Sequence, residues 1–558
     1  ADAARSRSEA DWLVGINGTR AMTAFNSKDG GFFLTPVGRV QTPTLSIVVT
    51  REEQIRKHIA RDYFEVHAQF GAPAGHYAGK WFDPQFKRGD DADARADRLW
   101  DKARAEAIVA ACSGQPAVVR DESKPSTQLS PALFDLTSLQ REANGRFGFS
   151  AKTTLGLAQA LYEKHKALTY PRTDSRFLPE DYLAVARQTA QALIDAGGSM
   201  APHARRALEA DYIRPNRRVF DNTKVSDHFA IIPTTQTPGS LTEAEAKIYD
   251  LVARRFLAVF FPAAEYLVTT RISTVAQHPF KTEGKILVKP GWLEIYGKEE
   301  QGADANLPLV AEGDAVNAET VEIKALKTRP PARYTEATLL GAMENAGKLV
   351  EDEELAEAMS GKGLGTPATR AATIEGLLAE AYMVREGREL IPTAKAFQLM
   401  TLLRGLQVEE LTKPELTGGW EHKLAQMERG QLSREAFMRD IAGMTETIVR
   451  RAKEFDRDTV PGDYATLQTP CPNCGGVVKE NYHRYACTQC DFSIGKHPGG
   501  RSFELAEVEQ LLRDKRLGPL TGFRSKMGRP FAAELKLVQE DGKGQWKLEF
   551  DFGDSAPG

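Results

Sequence analysis

The sequence predicts a multidomain α+β protein, and three observations lead to that fold class. Alternating apolar and polar residues predict strands at residues 63–70 and 118–119 and again at 266–273, 285–288 and 292–296. A long stretch with helical spacing separates the two groups, which indicates a β domain with a helical domain inserted into it. Such a domain could move as a unit about its two crossings. A cluster of four cysteines near the C-terminus adds a small metal-binding module.

Length and composition bound the possible functions. A chain of 558 residues accommodates about three to five domains, and 73 basic against 76 acidic residues leave a net charge of −3. The chain is therefore not a uniformly basic nucleic-acid binder, and any such binding must come from local positive patches. No run of 18 apolar residues occurs, so we expect no transmembrane helix. The first ten residues lack an apolar signal core, so we expect a cytoplasmic location. The first residues read like the interior of a helix, so we expect a piece of a longer protein.

The first segment reads as two helices joined by a polar loop. Trp12 and Ile16 have helical spacing, and the loop at 26–31 precedes a second helix that ends near residue 58. The sequence Gly-Arg-Val-Gln-Thr at 38–42 opens that helix. A glycine with Arg, Gln and Thr at a helix start suits donors aimed at an anion, and the alternative is an ordinary capped helix with a surface arginine.

The stretch Tyr170-Pro171-Arg172 combines two chemically useful side chains. A tyrosine phenol becomes a covalent nucleophile when its neighbours activate it, and an arginine guanidinium suits phosphate oxygens. Pro171 favours an extended conformation for the residue before it, so both side chains could be held at one locus. The combination suits attack of a phenol oxygen on a phosphodiester. The alternative is a buried tyrosine at the edge of a helical domain beside a surface arginine.

Two further polar positions stand beside apolar or helical segments. His228 follows an aspartate and precedes an apolar run that ends in Pro233, and a structural histidine is the alternative to a functional one. The glycine-rich stretch 361–370 opens a helix with Thr369 and Arg370. It lacks the ending of a P-loop and the preceding strand of a dinucleotide site, but it predicts a cradle for a phosphate backbone.

The clustered cysteines form two Cys-x-x-Cys pairs separated by 12 residues: Cys471, Cys474, Cys487 and Cys490. This spacing predicts a zinc ribbon around one tetrahedral Zn²⁺, and redox cysteines are the alternative. Aromatic and basic residues at 482–485 suit stacking on single strands, or simply the packing of a small module. The stretch 513–529 carries six basic residues around Phe523 and predicts a nucleic-acid patch.

Taken in chain order, these motifs resemble those of the type IA DNA topoisomerases, and among them the bacterial topoisomerase III branch. The matching blocks span residues 5 to about 455 and read S-E-A-D-W-L-V-G-I-N-G-T (8–19), G-R-V-Q-T-P-T-L (38–45), L-T-Y-P-R-T-D-S-R (168–176), S-D-H-F-A-I-I-P-T (226–234), Y-T-E-A-T-L-L (334–340), G-L-G-T-P-A-T-R (363–370) and P-E-L-T-G (414–418). The tail beyond residue 501 resembles C-terminal modules found in some members.

The resemblance implies a toroid with a DNA-sized hole. Its parts would be a helical base (1–64 and 334–455), a β arch (65–129 and 268–333), an inserted helical domain that carries the nucleophile (130–267), a linker with a zinc ribbon (456–500) and a small basic α+β module (501–558). The interrupted β region, inferred independently from residue patterns, fits that arch.

The resemblance also implies a reaction. Tyr170 would attack a phosphodiester of single-stranded DNA and leave a 5′-phosphotyrosine and a free 3′-OH, so that resealing needs no ATP. Arg172 would stabilise charge on the phosphoryl group, and His228 would hydrogen-bond the phosphate or assist proton movement. Strand passage through the break would relax negative supercoils or decatenate DNA. The resemblance assigns DNA contacts to Arg7, Asp11, Arg39, Gln41, Thr42, Ser175, Thr369 and Arg370.

The family's Toprim domain, which supplies the Mg²⁺ ligands, has no counterpart in the sequence. It would precede Ala1, and the acidic stretch 90–93 lies in the arch by this alignment. We therefore expect Mg²⁺ to belong to that domain, and expect these 558 residues alone to bind single-stranded DNA without relaxing supercoils. The alternative function is a single-stranded-DNA-binding fragment that needs a Toprim domain in trans. A RecQ-like helicase or a single-strand binding protein is an expected partner.

Overall fold

The computed structural model describes residues 2–28, 32–225, 227–297, 307–350, 353–359, 363–525, 527, 529–539 and 545–553. Parts of the predicted loops at 26–31 and 361–370, and Ser226, lie outside the described residues. The chain divides into two compact units: a first unit of residues 1–53, 144–152 and 333–558, and a second unit of residues 54–143 and 153–332. Among the described residues, no helix is long and apolar enough to cross a membrane.

The structure contains the following helices and strands. The helices are α1 (Asp2–Asn26), α2 (Gln41–Lys57), α3 (Lys102–Cys112), α4 (Leu136–Phe147), α5 (Ala151–Glu163), α6 (Leu183–Ala196), α7 (Ala201–Glu209), α8 (Glu243–Ala258), α9 (Glu336–Glu344), α10 (Glu353–Ala358), α11 (Pro367–Ala379), α12 (Ala394–Gly405), α13 (Pro414–Glu428), α14 (Arg434–Glu454) and α15 (Leu505–Asp514). The strands are β1 (Asp62–Ala72), β2 (Gly75–Trp81), β3 (Ala117–Gln128), β4 (Ala264–Val275), β5 (His278–Lys289), β6 (Asn317–Lys327), β7 (Met383–Glu386), β8 (Glu389–Pro392), β9 (Val478–Glu480), β10 (Arg484–Cys487), β11 (Ser493–Gly495), β12 (Arg516–Arg524), β13 (Pro530–Gln539) and β14 (Trp546–Asp551).

A six-stranded antiparallel sheet forms the frame of the second unit, with strand order β3-β4-β5-β2-β1-β6. Helix α3 packs on β1 and β6 and buries Ile108 with Phe70 and Phe280 of the sheet. The rings of Phe70 and Phe280 meet edge to face, with centroids 5.7 Å apart. This apolar layer lets the sheet form its own core, because each strand places alternate side chains on the same face.

The helical segment leaves and rejoins this sheet at neighbouring points. Strands β3 and β4 pair in continuous register from Ala117 opposite Val275 to Gln128 opposite Ala264. The chain leaves the sheet after Gln128 and returns at Ala264, so the two crossings of the insertion lie side by side. The buried Arg271 of β4 reinforces the pair, because it donates two hydrogen bonds of 2.7 Å to the carboxylate of Asp121 on β3.

The inserted segment has a separate hydrophobic core. Helix α8 supplies Phe256 and Leu257, which are fully buried and pack with residues of α6 and α7 such as Ala190 and Ala204. Helix α8 begins at a capping box: the Thr242 hydroxyl accepts from the Glu245 amide at 3.2 Å, and the Glu245 carboxylate accepts from the Thr242 amide at 2.9 Å.

The first unit is mainly helical and holds the ends of the chain. Helix α1 packs along α14 and α13, and its buried Val14 and Met22 share a core with Leu339, Leu403 and Phe437. Strands β9–β11 form a small three-stranded sheet, and β12–β14 form another beside α15. These two C-terminal sheets share one hydrophobic cluster, so the ribbon and the terminal module pack as a single body.

Two local predictions from the sequence were wrong. Residues 292–296 were predicted as a strand, but Gly291–Ile295 is a 3₁₀ helix in which Trp292 and Ile295 are buried. A short apolar run does not distinguish these two structures, because packing against the inserted core decides. The segment 334–455 was predicted as part of a helical base, yet β7 and β8 form a hairpin within it, with Gly387 in the turn at φ +60°.

Candidate functional site

Tyr170 lies on a short extended segment of the second unit that is held against the segment carrying His228. Leu168 forms an antiparallel bridge with Pro233. The Thr169 hydroxyl donates to the backbone carbonyl two residues beyond His228, at 2.9 Å. These bonds fix the backbone on the N-terminal side of Tyr170. The structure therefore brings together the tyrosine and the histidine that the sequence separates by a long helical region.

The Tyr170 ring is half-buried and contacts two other rings. Its centroid lies 4.3 Å from that of the exposed His228 imidazole, with 41° between the planes. Tyr162 of α5 meets it edge-on, with centroids 5.4 Å apart and 79° between the planes. Within the described part of the chain, no hydrogen bond engages the Tyr170 hydroxyl. The rings thus hold the side chain and leave its oxygen available.

Arg172 follows on the same segment, half-buried, and is held by α5. One of its terminal nitrogens donates to the Gln159 amide oxygen at 3.4 Å, which is a long and weak hydrogen bond. Gln159 and Tyr162 are three residues apart on α5 and therefore lie on one face of the helix. That face contacts both Arg172 and Tyr170, so the guanidinium and the phenol lie at one locus as predicted.

The resemblance assigned a DNA contact to Ser175, but the structure places its side chain in the interior. It is 5% exposed, and its hydroxyl donates to the Lys224 carbonyl at 2.9 Å and accepts from the Phe177 amide at 3.2 Å. The neighbouring Thr173 hydroxyl donates to the His228 carbonyl at 3.1 Å. In this structure Ser175 and Thr173 therefore stabilise the turn that carries the site, and Ser175 does not present its hydroxyl to solvent.

Arg39 lies in the first unit at the centre of an ionic cluster. Its side chain is 7% exposed and donates to Asp11 at 2.7 and 3.0 Å, with Glu421 3.8 Å away. Arg7 donates to the same Glu421 carboxylate at 3.1 and 2.7 Å. The guanidinium carbon of Arg39 lies 5.0 Å from the centre of the Trp420 ring. We define these five residues as the Arg39 cluster.

The two glycine-containing motifs of the first unit meet beside this cluster. A side chain on Gly365, at φ +69°, would lie 3.3 Å from Val40, so the loop before α11 packs closely on the loop before α2. The half-buried Gln41 begins α2, and the buried Thr42 accepts a hydrogen bond from the Gly38 amide at 3.0 Å. The residues at the start of α2 and the loop before α11 therefore lie together in the first unit.

The start of α11 is held by its own side chains. Thr366 and the exposed Thr369 form a capping box, in which the Thr369 hydroxyl accepts from the Thr366 amide at 3.0 Å. Arg370 is 2% exposed and donates to the backbone carbonyls of Leu364 and Gly365, both at 3.1 Å. Thr369 is therefore accessible to a ligand, whereas Arg370 braces the loop from inside.

The four cysteines of the ribbon lie together with their sulfur atoms all within 4.8 Å of one another: Cys471, Cys474, Cys487 and Cys490. The Cys471–Cys490 and Cys474–Cys487 sulfur pairs are 3.6 and 3.5 Å apart. Backbone amides approach three of the sulfurs at 3.3–3.4 Å, which favours thiolates. The cluster can hold a metal ion such as zinc, which takes four thiolates at about 2.3 Å in tetrahedral geometry.

The aromatic residues between the cysteine pairs pack inward, so the packing interpretation is the one that the structure favours. Tyr482 is 3% exposed and donates to Asn26 of α1 at 3.1 Å, and burial raises the pKa of its phenol. Tyr485 is also 3% exposed, and Arg484 pairs with Asp458. These side chains are not arranged to stack on a single strand.

The basic stretch 513–529 is also largely engaged within the protein. Phe523 is fully buried, Arg516 pairs with Glu534, and Arg524 donates to Glu386 at 2.9 Å. Arg529 is exposed, and no ion pair of its side chain occurs among the described residues. Part of the predicted patch therefore stabilises the C-terminal module.

Four residues that contact the predicted site residues were not singled out from the sequence: Gln159, Tyr162, Trp420 and Glu421. Trp420 and Glu421 follow the P-E-L-T-G block after one further glycine, so the motif itself was a signal. Gln159 and Tyr162 lie on α5, which ends before Tyr170, and only the tertiary structure shows that they contact Arg172 and Tyr170.

Comparison with known proteins identifies the fold first. The solved structure of full-length topoisomerase I from Thermotoga maritima matches 91% of this chain and 76% of that chain, with a TM-score of 0.61 and 20% sequence identity. The fold is therefore that of a type IA topoisomerase. A family model described as DNA topoisomerase matches residues 1–439, and a second, described as C-terminal repeat of topoisomerase, matches residues 489–553. The chain belongs to the DNA topoisomerase family.

Its curated relatives include proteins named DNA topoisomerase 3. The Bacillus cereus protein is 38% identical over 489 residues, which is 85% of this chain and 63% of that protein. The Bacillus subtilis protein is 36% identical over 492 residues, with the same shares of 85% and 63%. The chain thus spans about 63% of the length of these relatives. The resemblance inferred from the motifs is confirmed.

Proposed function

We propose that this chain carries the strand-cleaving tyrosine of a type IA DNA topoisomerase of the topoisomerase III kind, with Tyr170 as the nucleophile. The observation that supports the proposal most directly is the contact of the Tyr170 ring with His228 at 4.3 Å, with Arg172 two residues further along the same segment. A free phenol oxygen, a fixed positive charge and an imidazole at one locus suit phosphoryl transfer.

The proposed reaction exchanges one phosphate ester for another. The Tyr170 oxygen forms a bond to phosphorus, the bond from phosphorus to the 3′-oxygen breaks, and the phenol proton is lost while the 3′-oxygen gains a proton. Arg172 offsets the charge that develops on the phosphoryl oxygens, and His228 hydrogen-bonds the phosphate or carries the proton. Because the number of ester bonds is unchanged, the reverse step reseals the strand without ATP.

The first unit supplies the proposed contacts to the DNA backbone. Of the residues assigned there by resemblance, Arg7, Gln41 and Thr369 are at least partly exposed. Arg39 and Arg370 are buried and bonded within the protein, so we propose that they hold the loops that make the contacts. Asp11 would then act through Arg39, and Thr42 through the backbone of its own loop.

The proposal includes one structural metal ion, at the cysteine cluster of the ribbon. The cysteine cluster would hold one structural Zn²⁺, which we expect as one zinc per chain by metal analysis of the purified protein, with loss of that zinc in Cys471→Ser. The Mg²⁺ expected from the resemblance is assigned no step. Within the described residues, the cysteine cluster is the one group of three or more side chains arranged to bind a metal.

A covalent-complex assay tests the proposal. The protein is incubated with a labelled single-stranded oligonucleotide, with and without the Toprim domain of a relative, then denatured and examined for label on the protein. Label that depends on Tyr170 is expected, with at least about a thousandfold less in Tyr170→Phe, because the transferable oxygen is gone.

Tyr162→Phe is the matched control, since it removes a hydroxyl from the ring packed against Tyr170 and should leave labelling within a fewfold. Absence of Tyr170-dependent label even with the Toprim domain present would refute the enzymatic proposal. Labelling only with that domain present would show that the chain needs it in trans, as a single-stranded-DNA-binding fragment would.

A further inference from the structure

A basic pocket lies at one end of the six-stranded sheet, where β1 begins and β6 ends. Its volume is about 490 Å³, and its lining consists of Tyr63, Asp93, Arg95, Arg98, Leu326, Lys327 and Arg329. Four cationic side chains therefore face a single carboxylate, in a chain whose net charge is −3. No motif of the sequence pointed to this place, and it contains none of the residues proposed for cleavage.

The segment that carries Arg95 and Arg98 on one side of the pocket is held in place by hydrogen bonds. The stretch 90–101 is tied at two points to β1 and to the residue just before it. Leu99 exchanges backbone hydrogen bonds of 2.7 and 2.9 Å with Phe64, and Asp91 accepts from Arg61 at 2.8 Å, which lowers the pKa of that carboxyl. Because both ends are anchored, the arginines between them are held over the sheet.

The cations of the pocket differ in how far they are engaged. Arg98 lies on the face of Tyr63, 4.3 Å from the ring centroid, and donates to the Asp93 carbonyl at 2.9 Å. Lys327 is 3.6 Å from Asp62, in a pair that is about 70% exposed and so is weak. Arg95 and Arg329 are exposed, and among the described residues neither guanidinium has a hydrogen bond or an ion pair. The guanidinium groups of Arg95 and Arg329 therefore line the pocket with hydrogen-bond donors available to a ligand.

We infer that this pocket binds the phosphodiester backbone of single-stranded nucleic acid. Guanidinium groups bind phosphate oxygens through paired donors, and they are weakly hydrated, so they exchange water for phosphate more readily than lysine does. Tyr63 and Leu326 add an apolar side to the pocket, which suits the sugar next to a phosphate. A concave site of this size receives one or two nucleotides of a strand, whereas a duplex presents a broad convex surface.

The inference goes beyond the cleavage site and does not depend on strand cleavage. A strand bound here would be held by the sheet, outside the segment that carries Tyr170. Binding should therefore persist in Tyr170→Phe, which provides a background for the experiment in which no covalent complex can form.

The test measures the affinity of the Tyr170→Phe chain for a fluorescent 20-nucleotide oligo-dT over a range of salt concentrations. Removing both free guanidinium groups with Arg95→Gln and Arg329→Gln should weaken binding about tenfold at low salt. The slope of log affinity against log salt should become shallower by about 1.4, which is two single-strand phosphate contacts. Both side chains are exposed, so the fold should be retained, and circular dichroism checks this.

The matched control is Arg205→Gln with Arg214→Gln, two exposed arginines of the same unit that have no side-chain partner among the described residues. It removes the same charge and should leave both affinity and slope nearly unchanged. Equal losses in the two double variants would overturn the inference, because the effect would then be one of overall charge. Displacement of the oligonucleotide by millimolar AMP, with loss of AMP binding in the pocket variant alone, would overturn it in favour of a free-nucleotide site.

If the Tyr170→Phe chain binds the oligonucleotide and the pocket variant binds it equally well, the inference fails while the proposed cleavage function stands. Conversely, absence of Tyr170-dependent labelling in the unsubstituted chain together with the expected loss in the pocket variant would refute cleavage and leave the pocket intact.

Discussion

The two arginines at the centre of the predicted motifs are used in opposite ways. Arg172, beside Tyr170, is half-buried and makes one long hydrogen bond among the described residues, to Gln159 at 3.4 Å. Arg39, in the first unit, is 7% exposed, is bonded twice to Asp11, lies near Glu421 and sits beside Trp420. Both stood out in the sequence for the same reason, a guanidinium in a motif that suits an anion.

The Arg172 guanidinium is available to bind a ligand, whereas the Arg39 guanidinium is part of the ion pairs that stabilise the first unit. A guanidinium that already satisfies two carboxylates gains little from a phosphate, because it must first give up its own ion pairs. A guanidinium with one weak bond loses almost nothing when a phosphoryl group replaces that bond. We therefore expect substitutions at Arg172 to change rates and substitutions at Arg39 to change stability.

The largest expected effect is that of Arg172→Ala on the reaction. The rate of covalent-complex formation should fall by about 10²–10³, the usual result of removing one group that stabilises a developing charge. The free energy of unfolding should change by less than about 0.5 kcal/mol, because only one weak hydrogen bond is lost. Single-turnover labelling and urea unfolding measure the two quantities. Loss of stability with an unchanged labelling rate would show that Arg172 stabilises the fold and does not act in the reaction.

Arg39→Ala should destabilise the first unit by about 2 kcal/mol, because it removes the two charged hydrogen bonds to the partly exposed Asp11, whereas Glu421 keeps its hydrogen bonds from Arg7. Hydrogen exchange of the α1 and α13 amides provides the measurement. The double variant Arg39→Ala with Asp11→Ala is the control, and it should cost less than the sum of the single variants because the two residues form one network. Additive costs would show that the pair is not coupled.

An intermediate effect is expected at Thr42, in the first turn of α2, directly after the loop that holds Arg39. Thr42→Val keeps the shape of the buried side chain but removes the acceptor for the Gly38 amide. The unsatisfied amide should cost about 1–2 kcal/mol of stability and weaken single-stranded-DNA binding through the loop. Thr44→Val is a useful comparison, because the Thr44 hydroxyl donates to the Val40 carbonyl just before α2, at 2.7 Å, and that carbonyl also accepts from the Thr44 amide, so the variant leaves no backbone group of this pair unsatisfied. Equal costs for the two variants would argue against a special role of the loop.

The smallest effect is expected from Gln159→Ala in the second unit. The variant removes the one hydrogen bond that the Arg172 guanidinium makes among the described residues, a weak bond worth about 0.5 kcal/mol, so the labelling rate should fall by about twofold. Gln159→Glu should keep the contact and restore most of the rate. A positioning role predicts this rescue, whereas a purely structural role would lower the melting temperature of both variants alike and leave the rate unchanged.

Several parts of the site could be predicted because their information is local in the chain. Tyr170 and Arg172 are two residues apart, and the spacing of the cysteine pairs predicts one four-cysteine cluster, which the structure shows with its four sulfur atoms within 4.8 Å of one another. The interrupted sheet could also be predicted, because period-two alternation is a property of each strand alone. The structure confirms it in the pairing of Gln128 with Ala264 at the two ends of the insertion.

Other features depend on residues far apart in the sequence, and only the tertiary structure decided them. The cluster around Arg39 joins Asp11 to Glu421, and Tyr482 is buried against Asn26 instead of being open to a strand. Arg95 and Arg329 line one pocket although the inserted helices lie between them in the chain. Local patterns specify which groups are present and which elements form. Whether a charge is neutralised or left free depends on which distant groups the fold places within a few ångströms, because desolvation and pairing act through space.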